Sequence, residues 1–164
     1  MKKVAVIMGS TSDLPVASKT VDTLKSLGVP CEARVMSAHR TPDAVAEFAA
    51  KAREEGYGVL IAEAGMAAHL AGAVAARTTL PVIGVPLKSA ALDGVDALLS
   101  TVQMPPGIPV ACVGVDAAVN AALLAAQILA VTEPQLASSL EELRRASAEK
   151  VLAGDAGIRD VEAR

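Results

Sequence analysis

The chain has 164 residues, a formal net charge of −3 and a hydrophobic content of 52%, which suits one compact core. That acidic balance, with Phe48 and Tyr57 as the only aromatic rings, leaves no basic footprint for nucleic acid and no stacking platform for single strands. Cys31 and Cys112 form no CxxC pair and the two histidines join no Cys/His cluster, which argues against structural zinc and suits a reduced chain with two small buried thiols.

Residues 4–8 (VAVIM) are consecutively apolar and closed by Gly9, the pattern of a strand buried on both faces. Residues 14–27 carry helical spacing at Leu14, Ala17, Val21 and Leu24, and Gly28 supplies the stop. Residues 31–36 read as a second strand. Thr41 and Pro42 then open a helix that runs to Glu55 and ends at Gly56. Residues 59–64 form strand three, followed by an alanine-rich helix over about 67–77. Residues 81–85 are strand four, 95–100 a short helix, 103–107 (QMPPG) a rigid turn, 110–115 strand five and 117–130 a strongly apolar helix.

Strand and helix alternate throughout, so the expected fold is α/β: a flavodoxin-like three-layer sandwich around a central parallel sheet in the order 2-1-3-4-5. Residues 1–164 read as a single domain with its α/β core at about 3–130. An extra C-terminal amphipathic helix over about 133–154 carries Leu136, Leu140 and Leu143 on one stripe, to pack on its own domain or on a neighbouring subunit. Residues 155–164 read as a loosely ordered tail. Thirty-four alanines imply close helix packing or a large subunit interface. No apolar run reaches the roughly 18 residues of a membrane span, and residues 4–8 are too short for a signal core, so a cytoplasmic location is expected.

Ligands of open α/β sheets bind outside the carboxyl ends of the strands. Both histidines of the chain fall in the loops at those ends. In residues 9–13 (GSTSD), free backbone N–H groups and the hydroxyls of Ser10 and Ser12 suit an oxyanion. Ser12 or Asp13 as a plain helix cap is an equal reading, and Asp13 also suits ribose hydroxyls. The loop lacks the spacing of a dinucleotide fingerprint or a P-loop. In residues 37–40 (SAHR), Arg40 offers a planar fork for phosphate, and His39 is of the residue type that exchanges protons near neutral pH. Residues 65–70 (GMAAHL) put small residues before a helix start, with His69 either a ligand contact or a buried support. Glu63 interrupts an apolar run, and it is either partnered at the rim of the site or reaches solvent. Lys88 and Ser89 are weaker signals, and Asn120 reads first as a helix cap.

Four strings occur in order: GSTSD at 9–13, SAHRTP at 37–42, AGMAAHL at 64–70 and PVIGVP at 81–86, followed by STVQMP at 100–105 and NAALLA at 120–125. Over about residues 3–130 the chain resembles the N5-carboxyaminoimidazole ribonucleotide mutases, the PurE family of de novo purine synthesis. The resemblance implies an isomerase that moves a carboxylate from N5 to C4 of the aminoimidazole ribonucleotide, with no metal or cofactor. It implies His39 as the catalytic acid and base, and substrate binding by Ser10, Ser12, Asp13, Ser37 and Arg40. Gly65, Ala67, Ala68, His69 and Leu70 would line the carboxylate and carbon dioxide pocket. The family assembles as a homo-octamer. Glu63, Met66, Ala71 and Ala73 depart from the common family pattern, and the stretch between Val110 and Asn120 is shorter. The string Ala67–Leu70 favours the mutase over a related carboxylase that takes free carbon dioxide, the first alternative. A nickel-pincer synthesis enzyme and a non-catalytic nucleotide-binding module are the others.

Overall fold

In the computed structural model, which describes residues 1–162, eleven elements alternate along the chain. They are β1 (Lys3–Met8), α1 (Leu14–Ser26), β2 (Cys31–Val35), α2 (Pro42–Lys51), β3 (Tyr57–Gly65) and α3 (Leu70–Ala75). After them come β4 (Val82–Leu87), α4 (Val95–Val102), β5 (Ala111–Cys112), α5 (Ala118–Ala130) and α6 (Pro134–Glu162). All four strand pairings are parallel and the sheet order is β2-β1-β3-β4-β5, as the alternation predicts.

The pleat of the buried strands sends alternate residues to two cores. Val4, Val6 and Met8 of β1, with Val59 and Ile61 of β3, face α1, α5 and the start of α6. Ala5, Ile7, Leu60 and Ala62 face α2 and α3. On the first side, Ala118, Ala121, Ala122, Ala125 and Ala126 of α5 are all buried, and small side chains here let α5 lie close against α1. Leu136 and Leu140 join that core, so the C-terminal helix docks on its own domain, while Leu143 stays substantially exposed. Phe48 and Tyr57 pack edge to face on the other side, ring centroids 5.4 Å apart.

Several expected boundaries shift for local reasons. Gly28 and Gly56 do close their helical segments at positive φ (70° and 87°), where a side chain would be strained. A single 3₁₀ turn, Thr11–Asp13, precedes α1, and α2 ends at Lys51. The helix after β3 is only Leu70–Ala75, because residues 66–69 are taken up by tight turns in which Ala68 N–H donates to Met66 O and His69 N–H to Ala67 O. Strand five shrinks to two residues. Beyond Cys112 the chain follows β4 only through isolated bonds (Val113 N–H to Gly84 O, Asp116 N–H to Pro86 O) and turns at Asp116, φ 53°. Helix α6 continues to Glu162, past the end near 154 that its apolar stripe implies. From residue 141 to residue 159 it carries exposed ion pairs such as Arg145–Glu149 and Arg159–Asp155 and no buried residues. Residues 163–164 of the expected tail lie outside the described residues. The two thiols are half-buried and free, less enclosed than expected, with burial pushing both upward in pKa.

Gly84 of β4 is where α3, α4 and the approach to β5 come closest to the sheet. A Cβ there would overlap Thr101 and stand 3.0 Å from Val110 and 3.2 Å from Ala71. Gly84→Ala is therefore expected to destabilise the fold by about 1–3 kcal/mol through overpacking, seen as a lower urea midpoint with an unchanged slope.

Candidate active site

Parallel pairing carries the carboxyl ends of β1, β2, β3 and β4 to one edge, and their loops form a cleft of about 690 Å³. The first loop leaves β1 at Gly9, whose N–H donates to the Glu63 carbonyl of β3 at 3.2 Å. Ser10 caps the turn that follows: Ser12 N–H donates to Ser10 Oγ at 3.3 Å, and Ser10 N–H donates to Asp13 Oδ2 at 3.0 Å. This reciprocal capping box satisfies backbone donors that would otherwise be orphaned. The cap is thus Ser10, with Asp13 as its partner, rather than Ser12 or Asp13 alone.

The second loop is tied to the first by Arg40, whose guanidinium donates to the Gly9 carbonyl at 2.7 Å. Ser37 Oγ receives Arg40 N–H at 3.2 Å and Arg40 Nε at 3.4 Å, fixing the start of that side chain. Thr41 stands at the cap position of α2, but its hydroxyl bonds back to Ser37, accepting from N–H at 2.9 Å and donating to the carbonyl at 3.1 Å. The result is a closed turn that presents His39. His39 Nε2 lies 2.8 Å from His69 Nδ1 of the third loop, with the rings edge to face. One of these two nitrogens carries the shared hydrogen, so the imidazoles form one hydrogen-bonded pair.

The cleft brings together Ser10, Ser12, Asp13, Ser37, His39, Arg40, Gly65, Ala67, His69 and Leu70. Ala68 does not line it: that residue is buried beneath the turn. Lys88 and Ser89, weak signals in the sequence, stand on the rim, where Lys88 pairs with Asp93 at 2.7 Å. Ala38 and Ala64 are lining residues that sequence reasoning missed, visible only as small neighbours of the histidine loops. Met66 also lines it, 65% exposed and held at φ 55°, a backbone region natural to glycine. Asn120 lies inside α5, borders a separate groove with Leu140 and Arg144, and neither caps the helix nor reaches the cleft. A larger groove of about 930 Å³ at the opposite strand ends, lined by Arg53, Arg77 and Ile108, holds neither histidine. Among the described residues, no three or more His, Cys, Asp and Glu side chains are grouped to hold a metal ion. No helix among them is long and apolar enough to cross a membrane.

A flavodoxin-like sheet with a histidine pair and an arginine-braced, serine-capped loop at its carboxyl edge defines an α/β protein with a polar cleft where open sheets of this class take their ligands. Comparison with known proteins narrows this further: the chain matches the AIR carboxylase family over residues 3–150, and it belongs to that family. It is 56% identical over 151 residues to the N5-carboxyaminoimidazole ribonucleotide mutase of Bacillus subtilis, covering 91% of this chain and 93% of that one. It is also 56% identical over 144 residues to the protein of the same name from Pyrococcus abyssi, covering 88% and 83%. Among solved structures, Treponema denticola PurE superposes with a TM-score of 0.85 at 32% identity, over 93% of this chain and 96% of that one.

Glu63 follows neither reading open to it in the sequence. It is 0% exposed, yet its partner lies on α1: Thr20 Oγ1 donates to Glu63 Oε1 at 2.6 Å. Oε2 has no partner. Burial, reinforced by Asp13 and Asp116 and opposed by the Thr20 hydrogen bond, raises the carboxyl to a pKa of about 7. An acid whose pKa is raised by folding binds more protons folded than unfolded, so its contribution to stability falls as pH climbs from the unfolded value to the folded one. Between about pH 4.5 and about pH 7, wild type should therefore lose stability relative to Glu63→Gln, by a total on the order of 3 kcal/mol. Urea unfolding of both proteins across that range checks it; a constant difference between them would place the carboxyl's titration elsewhere.

Proposed function

We propose that this chain catalyses the conversion of N5-carboxyaminoimidazole ribonucleotide to 4-carboxy-5-aminoimidazole ribonucleotide, with His39 as the acid and base. What supports the reading most directly is the His39–His69 contact at 2.8 Å, set between a serine-capped loop and an arginine. The two relatives described above carry the mutase name, which favours that chemistry over the others.

The reaction needs one proton delivered and one removed. His39 protonates N5 as the bond from N5 to the carboxylate carbon breaks, its electron pair going to nitrogen and carbon dioxide leaving. C4, made electron-rich by the exocyclic amine, then attacks carbon dioxide, and His39 takes the C4 proton as ring aromaticity returns. The enzyme ends in the protonation state in which it began. His69 holds the imidazole in place and shares a hydrogen with it as its charge changes.

The remaining residues divide the ligand. Ser10, Ser12 and Arg40 take the phosphate, Asp13 takes ribose hydroxyls and Ser37 sets Arg40. Gly65, Ala67, His69 and Leu70, with Ala68 packed behind them, shape the end of the cleft where carbon dioxide is held, small walls leaving room for it and little for water. With Phe48 and Tyr57 both in the core, the imidazole ring is gripped by polar and backbone groups. The chain works as a single domain in a cytoplasmic homo-octamer. The exposed apolar residues Leu99 and Val102 of α4, Val119 of α5, and Val151 and Leu152 of α6 suit subunit contacts.

Substrate labelled with ¹³C in its N5 carboxylate, turned over in unlabelled bicarbonate, tests the reaction. Label retained at C4 supports the mutase, whereas label lost to the pool, with a rate that rises on added carbon dioxide, means the carboxylase. Nucleotide binding with no conversion would leave only a binding module. His39→Asn should cut turnover by ~10²–10⁴-fold, and near-normal turnover would remove His39 from the chemistry. Sedimentation of the purified protein should give an octamer, and a fully active monomer would overturn that assignment.

A further inference from the structure

Glu63 plays no part in the chemistry above, yet it sits directly beneath the loop assigned to the phosphate and ribose. Its backbone carbonyl holds Gly9 N–H, the first bond of that loop. Its side chain holds Thr20 of α1, and Thr20 Oγ1 in turn lies 3.4 Å from the carbonyl of Ala118 at the start of α5. One residue therefore joins β3, the nucleotide loop and the helix that this loop opens. The elements packed around it bring little relief for a negative charge. Beta-strand neighbours are Met8 on β1 and Val85 on β4, α1 offers the Thr20 hydroxyl, and α5 offers a carbonyl. The charges that act on it are Asp13 in the loop and Asp116 ahead of α5, both negative.

We propose that Glu63 is a positioning residue for the nucleotide-binding loop: in its uncharged form it anchors α1 through Thr20 and keeps the floor beneath Ser10–Asp13 free of a further negative charge, so that the loop can accept an anionic phosphate. The proposal rests on the reading of that loop given above. Its physical content is a linkage. A phosphate bound at the loop and a charge on Glu63 disfavour each other, so binding takes up a proton at Glu63 and weakens as the carboxyl ionises. Glutamine keeps a carbonyl acceptor for Thr20 and cannot ionise. The Thr20→Val change removes the hydrogen bond that favours the ionised form, which moves the titration to higher pH.

The experiment compares wild type, Glu63→Gln and Thr20→Val, reading KM and kcat for the ribonucleotide and, separately, the Kd of ribose 5-phosphate by calorimetry. From about pH 6 to about pH 8, wild-type KM and Kd should rise about two- to fivefold more than those of Glu63→Gln, the part of a half-unit to one-unit coupling that falls within that range. The phosphate's own titration is common to both proteins and cancels. Thr20→Val should show the same rise displaced to higher pH, and the effect should fall on KM and not on kcat. Superimposable pH curves for wild type and Glu63→Gln, or an effect confined to kcat, would overturn the proposal. If the ribonucleotide is not converted by any of the three but ribose 5-phosphate still binds with the expected pH difference, the reaction assignment fails and the role of Glu63 stands. No saturable binding of ribose 5-phosphate at any pH overturns both.

Discussion

The pairing of β1 with β3 is the constraint on which the cleft depends. It sets Met8 opposite Glu63, so the first residue past β1 finds the carbonyl of Glu63 within reach of its N–H. That bond fixes where the first loop leaves the sheet. Arg40 then crosses from the second loop to the Gly9 carbonyl, and the histidine contact joins the second loop to the third. Three loops from three adjacent parallel strands are thus cross-braced by three contacts. Because parallel strands place all their carboxyl ends on one edge, no long excursion of the chain is needed to bring these groups together.

Much of this was legible in the sequence because it depends on short-range rules. An unbroken apolar run such as residues 4–8 has few fates other than a strand covered on both faces, and Gly28 and Gly56 stand where a helix must stop in a left-handed turn. Both histidines were visible at strand ends before any contact between them could be known. What escaped depends on residues distant in sequence. Glu63 is buried with Thr20, 43 positions away, as its hydrogen-bond partner, and no local pattern reveals that pairing. Ala68 and Ala67 are chemically identical neighbours, and only the turn from Met66 to His69 decides that one faces the cleft and the other the interior. Strand five is short because the chain turns away at Asp116, although its apolar residues read as a longer strand. Helix α6 is long for the opposite reason: exposed charge pairs and good helix formers extend it beyond the stretch that apolar contacts hold.

Composition acquires a geometric meaning at two levels. In the core, five buried alanines of α5 reduce the separation between helices, so the layer covering β1 and β3 is thin and closely packed. In the cleft, the same preference for small side chains leaves Ala38, Ala64 and Ala67 around two imidazoles. The two aromatic rings are spent on each other in the core. A planar heterocycle entering this cleft meets hydroxyls, a guanidinium, imidazoles and backbone, a surface that discriminates by hydrogen-bond pattern more than by stacking.

Two departures from ordinary local rules lie three residues apart. Glu63 is a buried carboxyl with one oxygen unpartnered, and Met66 is a long side chain at a positive φ. Each lowers stability, and neither is needed to build a parallel sheet: an apolar residue at 63 and glycine at 66 would satisfy the fold with less conflict. Departures of this kind are expected where a chain meets its ligand, because there the local optimum for folding competes with the arrangement the ligand requires. Their positions match that expectation, one beneath the loop assigned to the phosphate and one at the mouth of the cleft. An acid under the proposed anion site is useful only while it is neutral, and the low polarity that makes it costly to bury is also what keeps it largely neutral below about pH 7.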